Sequence, residues 1–247
     1  MTSIVGITCQ NGIIIGTDSS ATFAAGRMPT IEQPTEKLEV FGGRVIVAGT
    51  GQVGLGQRFS AIMQNALAQG VFDQPHVEVG KTLSKAAIDD FRQTYVSPGQ
   101  YGALVAFPCR QQLHLCEFAL SDFQPEFKTD KLWYVSMGSA QPITDPFLAL
   151  MREIFWGRGC PSVQDGVFAV LWSLQHAVSV NPGGVNSPIR ISVLTSENGT
   201  PNARLLDEAD LDEHSEHIEY AKNLLRDYRK NLSPRPGAFV PDIPRPT

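Results

Sequence analysis

The chain has 247 residues, of which 42% are hydrophobic and 18% are charged, a composition typical of a globular protein that buries a core. Its formal net charge of −5 argues against a nucleic-acid-binding protein, because such proteins carry a basic patch or stripe. No apolar run is long enough to cross a bilayer, which argues against a transmembrane helix.

The first fifty residues predict β-strands joined by turns. Gln10-Asn11-Gly12 and Gly42-Gly43 are turn signals, and each lies between stretches rich in β-branched side chains. Residues 26–34 are expected to form a loop. We therefore expect an antiparallel meander with no room for crossover helices. The predicted strands are residues 3–9, 13–16, 38–41 and 44–48.

The rest of the chain alternates between helical and strand-like patterns. Apolar residues at helical spacing predict a pair of helices at 52–69 and 77–95, separated by a Gly- and Pro-bearing joint at 70–75. Residues 233–247 contain five prolines and are expected to form a flexible tail. The further predicted strands are 101–107, 112–118, 131–136 and 189–194, and the further predicted helices are 143–156, 163–180 and 207–231.

This order of elements indicates one layered α+β domain over residues 1–232, since no interior linker or internal repeat divides the chain. Two antiparallel sheets stacked face to face, with helices on both outer sides, would bury the apolar face of every element. The N terminus lacks the basic start and long apolar stretch of a signal peptide, so a cytosolic location is expected. The four cysteines form no Cys-x-x-Cys pair, and we expect them to be reduced core thiols.

Met1-Thr2 gives the strongest chemical signal in the sequence. Methionine aminopeptidases remove Met1 when the next residue is small, and Thr2 qualifies. Removal would leave a threonine with a free α-amine and a β-hydroxyl, so that one residue holds both a base and a nucleophile. An unperturbed α-amine titrates near pH ~7.7–8.0, so a large share of it is neutral at cellular pH and can accept the hydroxyl proton.

Asp18 and Lys37 are the candidate partners of Thr2. Asp18 follows the second predicted strand and Lys37 precedes the third, and the ends of neighbouring strands meet at a common edge in a meander. A lysine beside an amine lowers the pKa of that amine, and a carboxylate beside the lysine keeps it charged and oriented. Taken singly, Asp18 is better explained as a turn cap and Lys37 as a solvated side chain.

These three residues lie in four segments that share a family pattern. The segments are Thr-Ser-Ile-Val-Gly at 2–6, Gly-Ile-Ile-Ile-Gly-Thr-Asp-Ser at 12–19, Thr-Glu-Lys-Leu at 35–38 and Val-Ile-Val-Ala-Gly-Thr-Gly at 45–51. Together they resemble the start of proteasome β-type subunits and of their bacterial ring-forming peptidase relatives, in the N-terminal nucleophile hydrolase superfamily. The resemblance covers about the first sixty residues and rests beyond them on the order of the elements.

The resemblance implies a four-layer αββα sandwich and threonine-peptidase chemistry, with no metal or cofactor. It assigns Thr2 as the nucleophile, Asp18 and Lys37 as its charged partners, and Gly51 as the backbone donor to the oxyanion. The family often places a serine in a Gly-Ser-Gly turn near the nucleophile, and Ser139 in Gly138-Ser139-Ala140 is the nearest equivalent. Lys37 arrives slightly late in the sequence, which implies a longer loop over residues 24–35.

Two later positions depart from the family pattern. Eukaryotic-type and archaeal members carry an Asp and a Ser ahead of two glycines. Aligning on Gly183-Gly184 puts Ser179 and Pro182 at those places, so neither role transfers. A non-catalytic ring subunit that keeps Met1 is therefore one alternative function, and a small-molecule amidase of the same superfamily is another.

Two other motifs suggest different chemistry. Residues 49–54 match the dinucleotide-binding pattern Gly-x-Gly-x-x-Gly, but that pattern requires a parallel βαβ unit, and here a second helix is predicted next. His214 and His217 lie three residues apart among glutamates and could bind a divalent metal, although a solvated helix face explains them better. We expect neither nucleotide binding nor a metal site.

The function expected from the sequence is that of a threonine endopeptidase acting on peptides or unfolded proteins. A homo-oligomeric ring is expected, because confinement in a chamber supplies the selectivity that such an exposed nucleophile lacks. Helix faces around Phe59 and Phe91 are expected to contact neighbouring subunits. An ATPase unfoldase is a possible further partner, and neither a nucleic acid nor a membrane is expected as one.

Overall fold

The computed structural model describes residues 1–25, 28–97, 99–157, 159–181, 183–197 and 199–231. The predicted tail at 233–247 lies outside the described residues. The helices are α1 (Val53–Ala68), α2 (His76–Arg92), α3 (Gln141–Met151), α4 (Val163–Val180) and α5 (Glu208–Asn231). The strands are β1 (Ile4–Cys9), β2 (Gly12–Thr17), β3 (Ser20–Ala25), β4 (Met28–Pro34), β5 (Leu38–Phe41), β6 (Val45–Gly51), β7 (Tyr101–Cys109), β8 (Gln112–Phe118), β9 (Pro125–Phe127), β10 (Tyr134–Met137), β11 (Arg190–Glu197) and β12 (Thr200–Leu205).

Within these ranges the strands form two five-stranded sheets and one separate hairpin. Sheet I has the order β10-β1-β2-β11-β12, and sheet II has the order β5-β6-β7-β8-β9. The hairpin consists of β3 and β4. Every strand pair in the three groups is antiparallel. No helix in the described ranges combines the length and the apolar character needed to span a membrane.

The isoleucine run of β2 shows how the strand period of two divides the core. Ile13 and Ile15 lie in a cluster shared by the two sheets, together with Ile46 and Leu104 of sheet II. Ile14 points the other way, into a cluster that sheet I shares with α3, α4 and α5. A third cluster joins sheet II to α1 and α2. Because both faces of β2 are covered, its sequence is continuously apolar instead of alternating.

The predicted α+β class, with antiparallel sheets flanked by helices, is confirmed. The two helix pairs and the last helix lie where the 3.6-residue pattern places them, and α4 has the predicted bounds of 163–180. The predicted helix at 143–156 is α3 followed by a π-helical turn at Arg152–Trp156. The turn signals at 10–12 and 42–43 each join two antiparallel strands.

The predicted meander over the first fifty residues is wrong. β1 and β2 belong to sheet I, whereas β5 and β6 belong to sheet II, so the chain changes sheets between them. The predicted loop at 26–34 is also wrong, since β4 pairs with β3. The crossing is made by this hairpin, whose strands bury few side chains among the described ones and therefore show no clear period.

Besides β3 and β4, two short strands were missed, and one prediction about surfaces is wrong. β9 has only three residues, and β12 is an edge strand on which only Ala203 is buried, so neither gives a clear pattern. Phe59 and Phe91 are 0% and 8% exposed because they pack against sheet II, and they are not available to a neighbouring subunit. Residues 49–54 do not open a parallel βαβ unit, since β6 pairs antiparallel with β7.

Candidate active site

Thr2 is held by the turn that follows β10. β1 lies between β10 and β2, which places the residue before it against the segment after Met137. The Thr2 backbone N–H donates to Ser139 Oγ at 2.9 Å, and the Thr2 carbonyl oxygen accepts from the Ala140 N–H at 3.2 Å. Gly138 has a φ of +94°, and a Cβ there would lie 2.4 Å from the Thr2 carbonyl oxygen. Only glycine fits this approach.

Asp18 lies beside the start of β1 because β2 pairs with β1 up to Ile4 and Thr17. The Ser3 N–H donates to Asp18 Oδ1 at 2.8 Å, and the Ser20 N–H donates to Oδ2 at 3.2 Å. The carboxylate is fully buried. Each of its oxygens therefore has a backbone donor, which orients the group and offsets part of the cost of burying a charge.

Lys37 reaches the same place from sheet II. Its Nζ lies 2.7 and 2.9 Å from the two oxygens of Asp18, and it donates to the Met1 carbonyl oxygen at 3.0 Å. The Lys37 side chain is 7% exposed. The structure thus brings Asp18, Lys37 and Ser139 to the Met1-Thr2 peptide. Asp18 and Lys37 meet across two sheets, and not along one meander edge as the sequence argument supposed.

Burial controls the titration of the two amines at this site. It lowers the pKa of the Lys37 ammonium below its ordinary value of 10.5, although the Asp18 carboxylate opposes the change. It also lowers the pKa of the Met1 amine below 8.0, and the nearby Lys37 charge lowers it further. The Met1 amine is therefore biased towards its neutral, basic form.

Gly51 lies at the end of β6 and lines the same cavity as Thr2, a space of about 370 Å³. Its φ is +116°, and a Cβ there would lie 2.2 Å from the Gln100 carbonyl oxygen, so glycine is required. Thr22 and Phe23 of the β3–β4 hairpin also line the cavity. The sequence argument placed no element there, so it missed both. Gly138 was also missed as a positioning residue, although its place before Ser139 was a usable signal.

The two positions that depart from the family pattern, Ser179 and Pro182, carry uncharged side chains and so supply no charged partner for Thr2. Ser179 is exposed on α4 and donates to the His176 carbonyl oxygen at 2.8 Å within the same helix. Pro182 lies outside the described residues. Gly184 lies beside Met1, since a Cβ on it would be 2.4 Å from Met1 Cε and 2.7 Å from Thr22 Oγ1. Gly184 therefore reaches the site through its backbone.

No group of three potential metal ligands lies close together in the part of the chain that the structure describes. His214 is 8% exposed, so the prediction of a solvated face is wrong for this residue. The reason is that His214 and Ile218, four residues apart, form the side of α5 that packs on α4. Cys9, Cys109 and Cys116 are buried free thiols, and Cys160 is a partly buried one.

No protein-family model matches the sequence, and no curated protein sequence matches it. Solved structures do match. Anbu from Hyphomicrobium sp. strain MC1 has a TM-score of 0.72 at 13% identity, over 94% of this chain and 99% of that one. The Pseudomonas aeruginosa Anbu complex, described as a helical assembly, has a TM-score of 0.72 at 14% identity, over 96% and 100%.

A third solved structure is Anbu from Yersinia bercovieri, described as an ancestral β-subunit. It has a TM-score of 0.67 at 13% identity and covers 95% of this chain and 100% of that one. At these identities the likeness shows the fold, which the chain shares with Anbu over nearly its whole length. The shared fold agrees with the resemblance predicted from the sequence, and the assignment to a proteasome β-type subunit stays a prediction.

Proposed function

We propose that the chain is a threonine-type peptidase subunit of a proteasome-like assembly, with Thr2 as its N-terminal nucleophile after Met1 is removed. The observation that carries the proposal is the set of contacts around the Met1-Thr2 peptide. The buried Lys37 ammonium lies between the Asp18 carboxylate and the Met1 carbonyl oxygen, while the Thr2 nitrogen lies 2.9 Å from Ser139 Oγ. Removal of Met1 would turn that nitrogen into an α-amine already held in place.

The first half of the reaction is acylation of Thr2. Its Oγ1 attacks a peptide carbonyl carbon while the α-amine takes the hydroxyl proton. The positive charge of Lys37 lowers the pKa of the α-amine, which keeps it neutral and able to act as the base. Gly51 supplies a backbone N–H to the oxyanion, an interaction that stabilises the developing charge by about 3–4 kcal/mol in comparable sites.

The second half releases the products. The α-ammonium returns its proton to the leaving amine as the C–N bond breaks, leaving an ester on Thr2 Oγ1. The neutral α-amine then takes a proton from a water molecule, which attacks the ester carbonyl. Cleavage of the ester C–O bond gives a peptide carboxylic acid and restores the Thr2 hydroxyl. Ser139 holds the amine in position throughout and is a positioning residue in this scheme.

The fold supports an assembled, proteasome-like subunit. Apolar clusters between the two sheets and beneath each helical layer support the proposed four-layer αββα sandwich, which we take to be a single domain over residues 1–232. Structural neighbours include one described as a helical assembly and one described as an ancestral β-subunit. The proposal accordingly includes homo-oligomerisation into a ring or a related helical array in the cytosol, with an unfoldase as a possible partner.

A set of Thr2 variants tests the chemistry. Thr2→Ala and Thr2→Ser both keep a small second residue, so Met1 is removed from each, but only Thr2→Ser keeps a hydroxyl. Intact mass should show loss of Met1 in all three proteins. Cleavage of fluorogenic peptides should fall at least about 10³-fold in Thr2→Ala and survive in Thr2→Ser. Retention of Met1 in the assembled wild-type protein would end the proposal.

A non-catalytic subunit of the same fold is the second candidate function. It is favoured by the contacts of Met1, whose carbonyl oxygen accepts from Lys37 and whose side chain lies against Gly184. In that role Met1 stays attached, the chain contributes only to the assembly, and Thr2→Ala changes no activity. The same mass measurement distinguishes the two functions.

A further inference from the structure

The cavity beside Thr2 lies between α1 and the edge of sheet II. One wall consists of Val47 and Gly49 on β6, and the opposite wall contains Gln57 and Ser60 on α1. Lys37 and Glu39 are two residues apart where the chain is extended, so their side chains project to the same side, about 7 Å apart along the strand. Glu39 is therefore the carboxylate next to the reacting groups along this wall.

Glu39 is oriented but has no ionic partner. One of its carboxylate oxygens accepts from Ser60 Oγ at 2.5 Å. No ion pair joins Glu39 to a cation among the residues that the structure describes. Burial raises the pKa of Tyr101, and the Glu39 charge raises it further, so the tyrosine stays a neutral wall of the cavity. Ser60 thus orients the Glu39 carboxylate, and the lysine two residues before it, Lys37, is paired with Asp18 instead.

The other charged side chains that line the cavity are already paired. Lys37 is paired with the buried Asp18 carboxylate. Glu36 is exposed and lies 3.4 Å from Arg190. Gly49 leaves room for Tyr101, whose hydroxyl oxygen would lie 2.3 Å from a Cβ at position 49. Among the side chains that line the cavity, the Glu39 carboxylate is therefore a negative charge without a cationic partner.

We propose that this cavity binds the side chain of an arginine or lysine residue in the substrate, with Glu39 as the specificity-determining residue. The proposal rests on the proposed function, since it concerns the residue whose carbonyl group Thr2 attacks. A guanidinium or ammonium group would give the partly buried carboxylate a charge-assisted hydrogen bond. An acidic side chain would meet repulsion, and a neutral one would leave the carboxylate without a partner.

Kinetics with matched peptides test the proposal. Two fluorogenic peptides differ only in arginine or citrulline before the cut bond, which changes the charge but hardly the shape. The kcat/KM for the arginine peptide should exceed that for the citrulline peptide about tenfold in the wild-type protein. Glu39→Gln keeps an acceptor for Ser60 and should bring this ratio close to one. The control Glu78→Gln changes an exposed carboxylate on α2 that does not line the cavity, and it should keep the ratio of the wild-type protein.

A binding measurement makes the test independent of catalysis. Thr2→Ala binds the same two peptides without cleaving them, so titration calorimetry gives their Kd ratio directly. We expect tighter binding of the arginine peptide, by about tenfold, and loss of this difference in Thr2→Ala/Glu39→Gln. Failure of the peptidase proposal removes cleavage of both peptides but leaves this ratio in place. Equal Kd values in Thr2→Ala, or an arginine preference that survives Glu39→Gln, would overturn the charge proposal itself.

Discussion

Sheet II has a buried lysine at each of its two edges, and the two lysines behave in opposite ways. Lys37 precedes edge strand β5, and Lys128 follows edge strand β9. Both side chains are 7% exposed. Burial lowers the pKa of Lys37 despite its one carboxylate, Asp18. At Lys128 burial also acts to lower the pKa, but the hydrogen bonds and charges of Glu117 and Glu126 together outweigh it and raise the pKa.

The comparison separates a lysine suited to chemistry from one that serves structure. Lys128 lies 2.6 Å from each of two carboxylates, and these are 19% and 61% exposed, so water helps to solvate the group. Lys37 has one carboxylate, which is 0% exposed, and its remaining contact is the carbonyl oxygen of Met1. Lys128 differs from Lys37 in having two carboxylate partners instead of one, and its hydrogen bonds to both of them act to raise its pKa.

Replacing each lysine by a neutral residue should give the largest difference in stability and in peptide cleavage between the two edges. Lys37→Met leaves the Asp18 carboxylate buried without a cation, which costs about 3–5 kcal/mol of stability. It should also lower peptide cleavage about 10²–10⁴-fold, because the charge that keeps the α-amine neutral is lost. Lys128→Met leaves two carboxylates that reach water, so we expect a stability loss of about 1 kcal/mol or less and full cleavage. Urea unfolding and fluorogenic peptides measure both effects.

A double variant separates chemistry from folding at the Lys37 edge. Asp18→Asn/Lys37→Met removes both charges and keeps an acceptor for the Ser3 N–H, so it should recover most of the lost stability. Cleavage should stay low, because the cation beside the α-amine is still absent. Recovery of cleavage together with stability would mean that Lys37 acts only through folding. Equal losses of cleavage in Lys37→Met and Lys128→Met would remove the distinction between the two edges.

Adding one methyl group beside Thr2, and another beside the Lys128 edge as a control, should give the next largest difference in cleavage. Gly138→Ala forces a side chain into a backbone at φ +94°, with its Cβ 2.4 Å from the Thr2 carbonyl oxygen. Displacing Thr2 should lower kcat/KM about 10–100-fold. Gly80 on α2 is the matched control, since its Cβ would lie 2.9 Å from Pro125 Cβ and Phe127 Cζ, next to Lys128.

We expect Gly80→Ala to keep its full kcat/KM. Its stability should change by about 1 kcal/mol or less, because the gain in helix propensity offsets the crowding of a side chain. If Gly138→Ala keeps its kcat/KM as well, the turn after β10 does not position the nucleophile. Loss of kcat/KM in both variants would instead indicate a general response of the fold to crowding.

The sequence predicted well what depends on local pattern. Helices α1, α2, α4 and α5 repeat every 3.6 residues over four or more turns, and the turns at 10–12 and 42–43 are coded by Asn and Gly. The assignment of strands to sheets was wrong because it depends on distant pairing. The Gly42-Gly43 turn predicted that β5 pairs with β6, but nothing near Lys37 indicates that this hairpin belongs to a different sheet from β2, which pairs with β11 more than 170 residues later.

The candidate site could be predicted in part for the same reason. Asp18 and Lys37 lie at strand ends and within recognisable segments, so their residue types and spacing pointed to Thr2. The cavity wall could not be predicted, because Tyr101 and Ser60 join it through tertiary packing. Glu39 carried a usable signal, since it lies two residues after Lys37 on an extended segment and therefore projects to the same side.

The smallest expected effect is a difference in how stability depends on pH. In the unfolded chain both lysines titrate near 10.5. The folded-state pKa of Lys37 is lower, so the unfolded chain holds more protons at this position as the pH approaches 10.5, and the Lys37 contribution to the free energy of unfolding rises with pH. The folded-state pKa of Lys128 is higher, so its contribution to the free energy of unfolding is fully present below pH 10.5 and is lost as the pH rises through the folded value.

Urea unfolding between pH ~8.5 and ~11 measures this difference when the free energy of each Lys→Met variant is subtracted from that of the wild-type protein. The two differences should change with pH in opposite directions, each by less than about 1.4 kcal/mol per pH unit. The Met1 amine and the carboxylates of Asp18 and Glu32 also face Lys37, so subtracting the variant is needed to isolate the contribution of the Lys37 proton. Slopes of the same sign would show that the two edges share one electrostatic environment.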